Sequence, residues 1–179
     1  MPRSSRPTSP RPNEVRIVGG LWKRTRLPVA DKPGLRPTPD RVRETLFNWL
    51  GQDLAGWRCL DAFAGTGALG FEAASRGAGQ VVVVEQDPEL VAGLRAIKTR
   101  LAADTVEVRR ANGLSVLKEF AGAGLDLVFL DPPFGAGLFD TVVRKEWRLI
   151  RRDPPLISQV ALQLIFLLAI FLLVFGVTD

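Results

Sequence analysis

Residues 57–70, WRCLDAFAGTGALG, decide how the rest of the chain is read. WRCLDAF reads as a strand and GALGFEAASRG, residues 67–77, as a helix. Between them Gly65 and Gly67 let the backbone come close to a ligand, because glycine carries no Cβ. The helix start behind them offers free N–H groups to an anion or carboxylate. Asp61 ends the strand just before the glycines, and Phe63 and Thr66 lie in the same turn.

The alternation continues downstream. QVVVVEQD (80–87), TVEVRRAN (105–112) and LDLVFLD (125–131) read as strands. PELVAGLRAIKTRLAA (88–103) and LSVLKEFAGAG (114–124) read as the helices between them. Strand–helix alternation predicts an α/β fold with right-handed crossovers and a parallel sheet. VVVV and LVFL are apolar at every position, as strands covered on both faces must be. Ligands of such sheets gather at the carboxyl ends of the strands. Asp61, Glu85, Asn112 and Asp131 all fall there. Glu85 is placed to grip two ribose hydroxyls. Gly65, Gly67 and Gly70 also spell G-x-G-x-x-G, with the acid Glu85 about 20 residues after the first of them, so a nicotinamide enzyme competes. Asp61 weighs against it: a carboxylate there repels a pyrophosphate, yet welcomes the amino group of a methionine-derived cofactor.

The last strand runs into LDPPF, residues 130–134. An exocyclic amine of a nucleobase is a weak nucleophile, because its lone pair is delocalised into the ring. A site that methylates it must hold the amino hydrogens while the nitrogen pyramidalises. Asp131 can accept one such hydrogen bond and the carbonyl of Pro132 another. Pro132 and Pro133 have fixed φ and no N–H, so the acceptors stay in place. Phe134 can stack on the base. The stiffness is electrostatic preorganisation toward positive charge developing on nitrogen. Asp-Pro-Pro alone is an ordinary turn; with the glycine loop and the strand-end acids it points to methyl transfer from S-adenosylmethionine, with no metal required.

Composition narrows the alternatives. The chain of 179 residues has no histidine and one cysteine, Cys59, which excludes His/Cys zinc sites, His-based triads and a disulfide framework. That usage favours a cytoplasmic setting. The net charge of +5 is uneven, with eleven Lys and Arg against three acids in residues 1–43. A basic front end suits a polyanion partner, although a solubilising tail has the same composition. Residues 1–13 read as a disordered basic arm. Residues 14–29 read as two short strands around a turn at Gly19-Gly20, with Lys23, Arg24 and Arg26 crowding the ribbon. A helix follows, with Thr38 as its cap and Pro39 at its first position. Val42, Leu46, Trp49 and Leu50 form its apolar stripe, with Arg41 and Arg43 off it.

RIVGGLWKRTRLPV, GLRPTPDRVRETLFNWL, CLDAFAGTGALGFEAASRGA and VFLDPPF resemble, in order and spacing, the bacterial 16S rRNA guanine-N2 methyltransferase family RsmD. The resemblance runs from about Val15 to about Asp140. It implies a Rossmann-like class I methyltransferase fold with an N-terminal β-hairpin. It implies S-adenosylmethionine bound by Asp61, Phe63, Gly65, Thr66, Gly67, Glu85 and Asn112, and a guanine held by Asp131, Pro132, Pro133 and Phe134. The small ribosomal subunit is the implied partner, with Arg16, Lys23, Arg24, Arg26, Arg36, Arg41 and Arg43 meeting RNA phosphates. The same Asp-Pro-Pro-Phe motif serves adenine-N6 methyltransferases, and an inactive RNA-binding remnant shares the basic front end.

The division expected is an arm (1–13), a methyltransferase domain (14–140, with the hairpin at 14–30 and the cofactor-binding core at 40–140) and a divergent tail (141–179). Residues 160–177 are 18 uncharged residues with Gln163 the clearest polar one. An aberrant end that replaces the family's last strands is the favoured reading. The others are a membrane anchor, with Arg144, Lys145, Arg148, Arg151 and Arg152 on the cytoplasmic side, and a buried element completing the sheet. A native-like chain would be a monomer. If the last strands are replaced, an apolar strand edge is left open, and the chain should fold poorly or associate. A sharp two-state unfolding transition of a monomer without detergent would contradict that.

Overall fold

The computed structural model describes residues 14–132. The arm, Pro133, Phe134 and the whole tail, including residues 160–177, lie outside the described residues.

Four parallel strands form the centre: β3 (Arg58–Asp61), β4 (Gln80–Glu85), β5 (Val106–Arg110) and β6 (Leu127–Phe129), in spatial order β5-β4-β3-β6. Before them come a ribbon of β1 (Glu14–Arg16) and β2 (Arg26–Pro28) and the helix α1 (Asp40–Trp49). The crossover helices are α2 (Ala68–Ser75), α3 (Pro88–Leu101) and α4 (Gly113–Glu119). After β5 the chain returns to the other side of β3, so the order reverses between β3 and β6. This is the crevice where doubly wound sheets bind ligands.

Alternate strand residues feed two cores, as the two-residue period of a strand demands. Cys59, Val81, Val83, Leu127 and Phe129 pack with Phe47, Phe71, Leu94, Ile97 and the ribbon residues Val15, Ile17 and Leu27. Leu60, Val82, Val84 and Val128 face the other way, toward Val116 of α4 with Phe63 and Phe120 at the margin. The starts of α3 and α4 are capped by side chains just past strand ends. Asp87 accepts from the N–H groups of Glu89 and Leu90 at the start of α3, with Pro88 in its first turn.

Three expectations need correction. The two strands expected around Gly19-Gly20 pair antiparallel, but their connection is longer than that pair, which packs on the end of α2. The Leu21 N–H donates to the Ser75 carbonyl (2.6 Å), the Ser75 hydroxyl donates to the Gly19 carbonyl (2.6 Å), and a Cβ on Gly20 would collide with the Ser75 backbone. Thr38 does not cap α1; Pro39 holds that position, without a side-chain bond to the helix. Trp49 is 62% exposed, and the line buried along α1 is Arg43 and Phe47.

Arg43 is fully buried, and its guanidinium is wired to four groups. Nη1 donates to Glu72 Oε2 (3.1 Å) and Nη2 to Asp40 Oδ1 (2.6 Å) and the Arg16 carbonyl (2.7 Å), while Nε donates to the Thr38 carbonyl (3.0 Å). Glu72, also fully buried, takes the Val18 N–H (2.8 Å) and Arg76 (2.9 Å) as well. Arg76 in turn lies over the Phe47 ring, 4.6 Å from its centroid. A buried ion cluster of this kind tolerates poorly the loss of one member, because the rest is left uncompensated. Glu72→Gln should therefore lower stability by about 3–5 kcal/mol, read from the urea unfolding midpoint.

Candidate functional site

The carboxyl ends of β3, β4 and β6 bring Asp61, Glu85 and Asp131 to one rim. Asp61 stands in register with Val83 of β4 and Phe129 of β6. Asp131 follows two residues after the end of β6, beyond that register.

Asp61 lies beneath the glycine loop. Its Oδ2 accepts from the Gly70 N–H at 3.0 Å, and its Oδ1 is buried without a hydrogen-bond partner. Burial pushes its carboxyl up to about 7 against the N–H groups of Gly70 and Phe63, and the nearby charges of Asp131 and Glu85 act with the burial. A buried acid with one oxygen unsatisfied is an unfavourable arrangement for a fold by itself. It is a good arrangement for receiving a cationic donor. The loop above it is shaped by Gly67, in the left-handed region at φ 76°, where a Cβ would come within 2.5 Å of Leu94 Cδ2. Thr66 is buried beside it, and its hydroxyl accepts from the Ala68 N–H at 3.4 Å.

Glu85 braces the loop from β4: Oε2 accepts from the Gly65 N–H (3.0 Å), and Oε1 from the N–H groups of Gln86 (2.8 Å) and Asp87 (2.9 Å). Asn112 is exposed and caps α4 through Oδ1, accepting from Leu114 (3.0 Å) and Ser115 (3.3 Å). With that oxygen committed, its amide –NH2 is the part left to offer a ligand. Phe63 is half-buried and packs at the margin of the α4 core.

Residues 30–38, between the ribbon and α1, cross over these strand ends. Lys32 pairs with Asp87 (2.6 Å) and Glu89 (2.9 Å) at the start of α3. Leu35 lies over the glycine loop, so that a Cβ on Gly65 would be 3.2 Å from Leu35 Cδ1. The Thr38 hydroxyl donates to Asp131 Oδ2 at 2.8 Å. Sequence reasoning missed all three residues. Thr38 was read as the cap of α1, a role that the structure gives to Pro39.

Of the expected nucleobase site, Asp131 and Pro132 are described and half-buried; Pro133 and Phe134 lie outside the described residues. Of the basic set, Arg16, Lys23, Arg24, Arg26, Arg36 and Arg41 are exposed. Arg16 pairs with Asp40 (3.0 Å) and Arg26 with Glu14 (2.9 Å). Arg43 corrects the expectation for that set: its four interior contacts turn it away from any phosphate. No cluster of metal-ligating side chains occurs among the described residues, and none of their helices is long and apolar enough to cross a membrane.

The family model described as Conserved hypothetical protein 95 matches residues 15–161, past Asp140, where the resemblance was expected to fade. Ribosomal RNA small subunit methyltransferase D of Escherichia coli K12 is 45% identical over 130 residues, spanning 73% of this chain and 65% of that protein. The chain thus spans just under two thirds of that relative's length. The Haemophilus influenzae protein of the same name is 44% identical over 135 residues, spanning 73% of this chain and 69% of that one. The solved structure of Escherichia coli yhhF matches with a TM-score of 0.62 and 38% identity, covering 76% of this chain and 72% of that chain.

The Asp61 carboxyl gives a signed expectation. Its folded value near 7 lies about three units above that of a free aspartate, so its contribution to the ligand-free protein is most favourable below about pH 4 and is lost as pH rises through about 7. Asp61→Asn keeps an acceptor for the Gly70 N–H without the buried charge. It should raise stability at pH 8 by up to about 4 kcal/mol and have little effect at pH 4, as read from urea unfolding at the two pH values.

Proposed function

Because the chain belongs to the RsmD family, whose model is described as Conserved hypothetical protein 95, we propose that it transfers a methyl group from S-adenosylmethionine to the N2 amine of a guanine in 16S rRNA of the small ribosomal subunit. The observation that carries this reading is the placement of Asp131 at the same rim as the unsatisfied Asp61 carboxylate. One acid suits a cationic cofactor and the other an amine.

The residues present fit that cofactor. Asp61 Oδ1 is a buried acceptor in want of a donor, which the α-amino group would supply. Gly65 and Gly67 let the loop bend over Asp61 against Leu35, Leu94 and Phe71, and Glu85 at the end of β4 stands where ribose hydroxyls would lie. Thr66 and Phe63 shape the same turn, and the Asn112 amide edges the pocket. When bound, S-adenosylmethionine supplies a methyl group on a positively charged sulfonium.

Asp131 accepts a hydrogen bond from the guanine N2 amine, and the Pro132 carbonyl accepts the second. These contacts gain strength as positive charge develops on nitrogen, so they favour the transition state over the bound base. Proline fixes the backbone at the acceptor. The exposed cations Arg16, Lys23, Arg24, Arg26, Arg36 and Arg41 meet rRNA phosphates and orient the enzyme without reading sequence. Stacking by Phe134 completes the proposal, together with a cytoplasmic setting and no metal.

Two measurements test it. With labelled cofactor and 30S subunits, nucleoside analysis should yield N2-methylguanine; N6-methyladenine instead would reassign the substrate. Asp131→Ala should lower kcat by at least about 100-fold while calorimetry finds cofactor affinity unchanged. Asp61→Asn should do the reverse for binding, weakening the cofactor even as it stabilises the free protein.

A further inference from the structure

We infer that Thr38 is the positioning residue for Asp131, holding one carboxylate oxygen so that the other faces the amine being methylated. The inference rests on the proposed function for the identity of that amine, but the contact itself is independent of it. Thr38 Oγ1 donates to Asp131 Oδ2 at 2.8 Å, between residues 93 apart in the chain.

An aspartate at the end of a short strand turns freely about its Cβ–Cγ bond, and each carboxylate oxygen offers two acceptor sites. Neither oxygen is then fixed toward a substrate. A hydroxyl bonded to Oδ2 removes that freedom. It leaves Oδ1 as the outward acceptor. Preorganisation of this kind acts on the barrier to transfer, since the acceptor need not reorient as charge develops.

The hydroxyl can do this only if Thr38 is itself fixed, and the structure supplies the means. Its neighbours Pro37 and Pro39 have restricted φ. Its carbonyl accepts from Nε of the fully buried Arg43 at 3.0 Å, and Arg43 is tied to Glu72 at 3.1 Å in the core. An unbroken line of hydrogen bonds therefore runs from α2 through α1 and Thr38 to Asp131. This accounts for a threonine that the helix does not use as its cap.

The test is a set of variants of the full chain. Thr38→Val replaces the hydroxyl by a methyl of the same shape. It should lower kcat about 10- to 100-fold, with KM for 30S subunits and the calorimetric Kd for cofactor within about threefold. Thr38→Ser should restore most of the turnover. In an Asp131→Asn background, Thr38→Val should have little further effect on kcat. Turnover of Thr38→Val equal to wild type overturns the inference, as does a loss that Thr38→Ser fails to restore or that tracks a loss of cofactor binding. Failure of the functional reading looks different: the wild-type product is then some other methylated nucleoside, or none. A stability cycle needs no product. If the urea-midpoint shifts of Thr38→Val and Asp131→Asn simply add in the double variant, the contact is absent and the inference fails.

Discussion

The Glu72 carboxylate, buried in α2, is the contact on which the rest depends. It accepts from two guanidinium groups and one backbone N–H, and these come from three separate stretches: α1, its own helix and the ribbon. Parallel strands and crossover helices would form a sheet without it. The ribbon would keep its hydrogen bonds to Ser75 and Arg100, but α1 would lose its buried ion pair to α2 and rest there on apolar contacts, which are non-directional. The crossing segment over the strand ends starts from one of these elements and ends at the other. Its far end is anchored through Arg43 to that buried acid, while Lys32 and Thr38 fix the segment itself to the strand ends. Such clusters contribute little net stability compared with a well-packed apolar core, but they fix geometry.

Asp61 represents the opposite choice. The fold gains nothing from an ionised carboxylate sealed beneath a glycine loop, and a neutral amide would serve the Gly70 N–H as well. On the proposed reading it is there for a partner that arrives from outside. Unfavourable groups of this kind concentrate where a ligand is to be held, because the ligand relieves what the free protein endures.

The parallel sheet was legible in the sequence because its strands are buried on both faces. A run such as Val81–Val84 has no polar position to confuse its reading, and the turn residues between runs mark the crossovers. Asp61, Glu85 and Asp131 were legible as a group by their common place after such runs. The front end was harder. Arg43 falls off the apolar stripe of α1 and was assigned to the surface, since charged residues are seldom fully buried; only Glu72, 29 residues away, reverses that expectation. The Gly19-Gly20 pair matched a turn signal, yet its cause is the approach of α2, a tertiary contact invisible to local pattern. Thr38 and Pro39 were displaced by a single position, which is enough to move a hydroxyl from a helix end to the strand-end acid.

The inward turn of Arg43 also bears on electrostatics at a distance. Affinity for a polyanion depends on ionic strength through the cations that displace counterions, and a cation neutralised inside the protein displaces none. α1, with Arg41 and Arg43 against Asp40 and Glu44, therefore presents less positive field than its two arginines suggest. A survey that neutralised its arginines one by one would still record a severe defect at Arg43. That defect would be insensitive to salt, the signature of a collapsed scaffold in place of a lost phosphate.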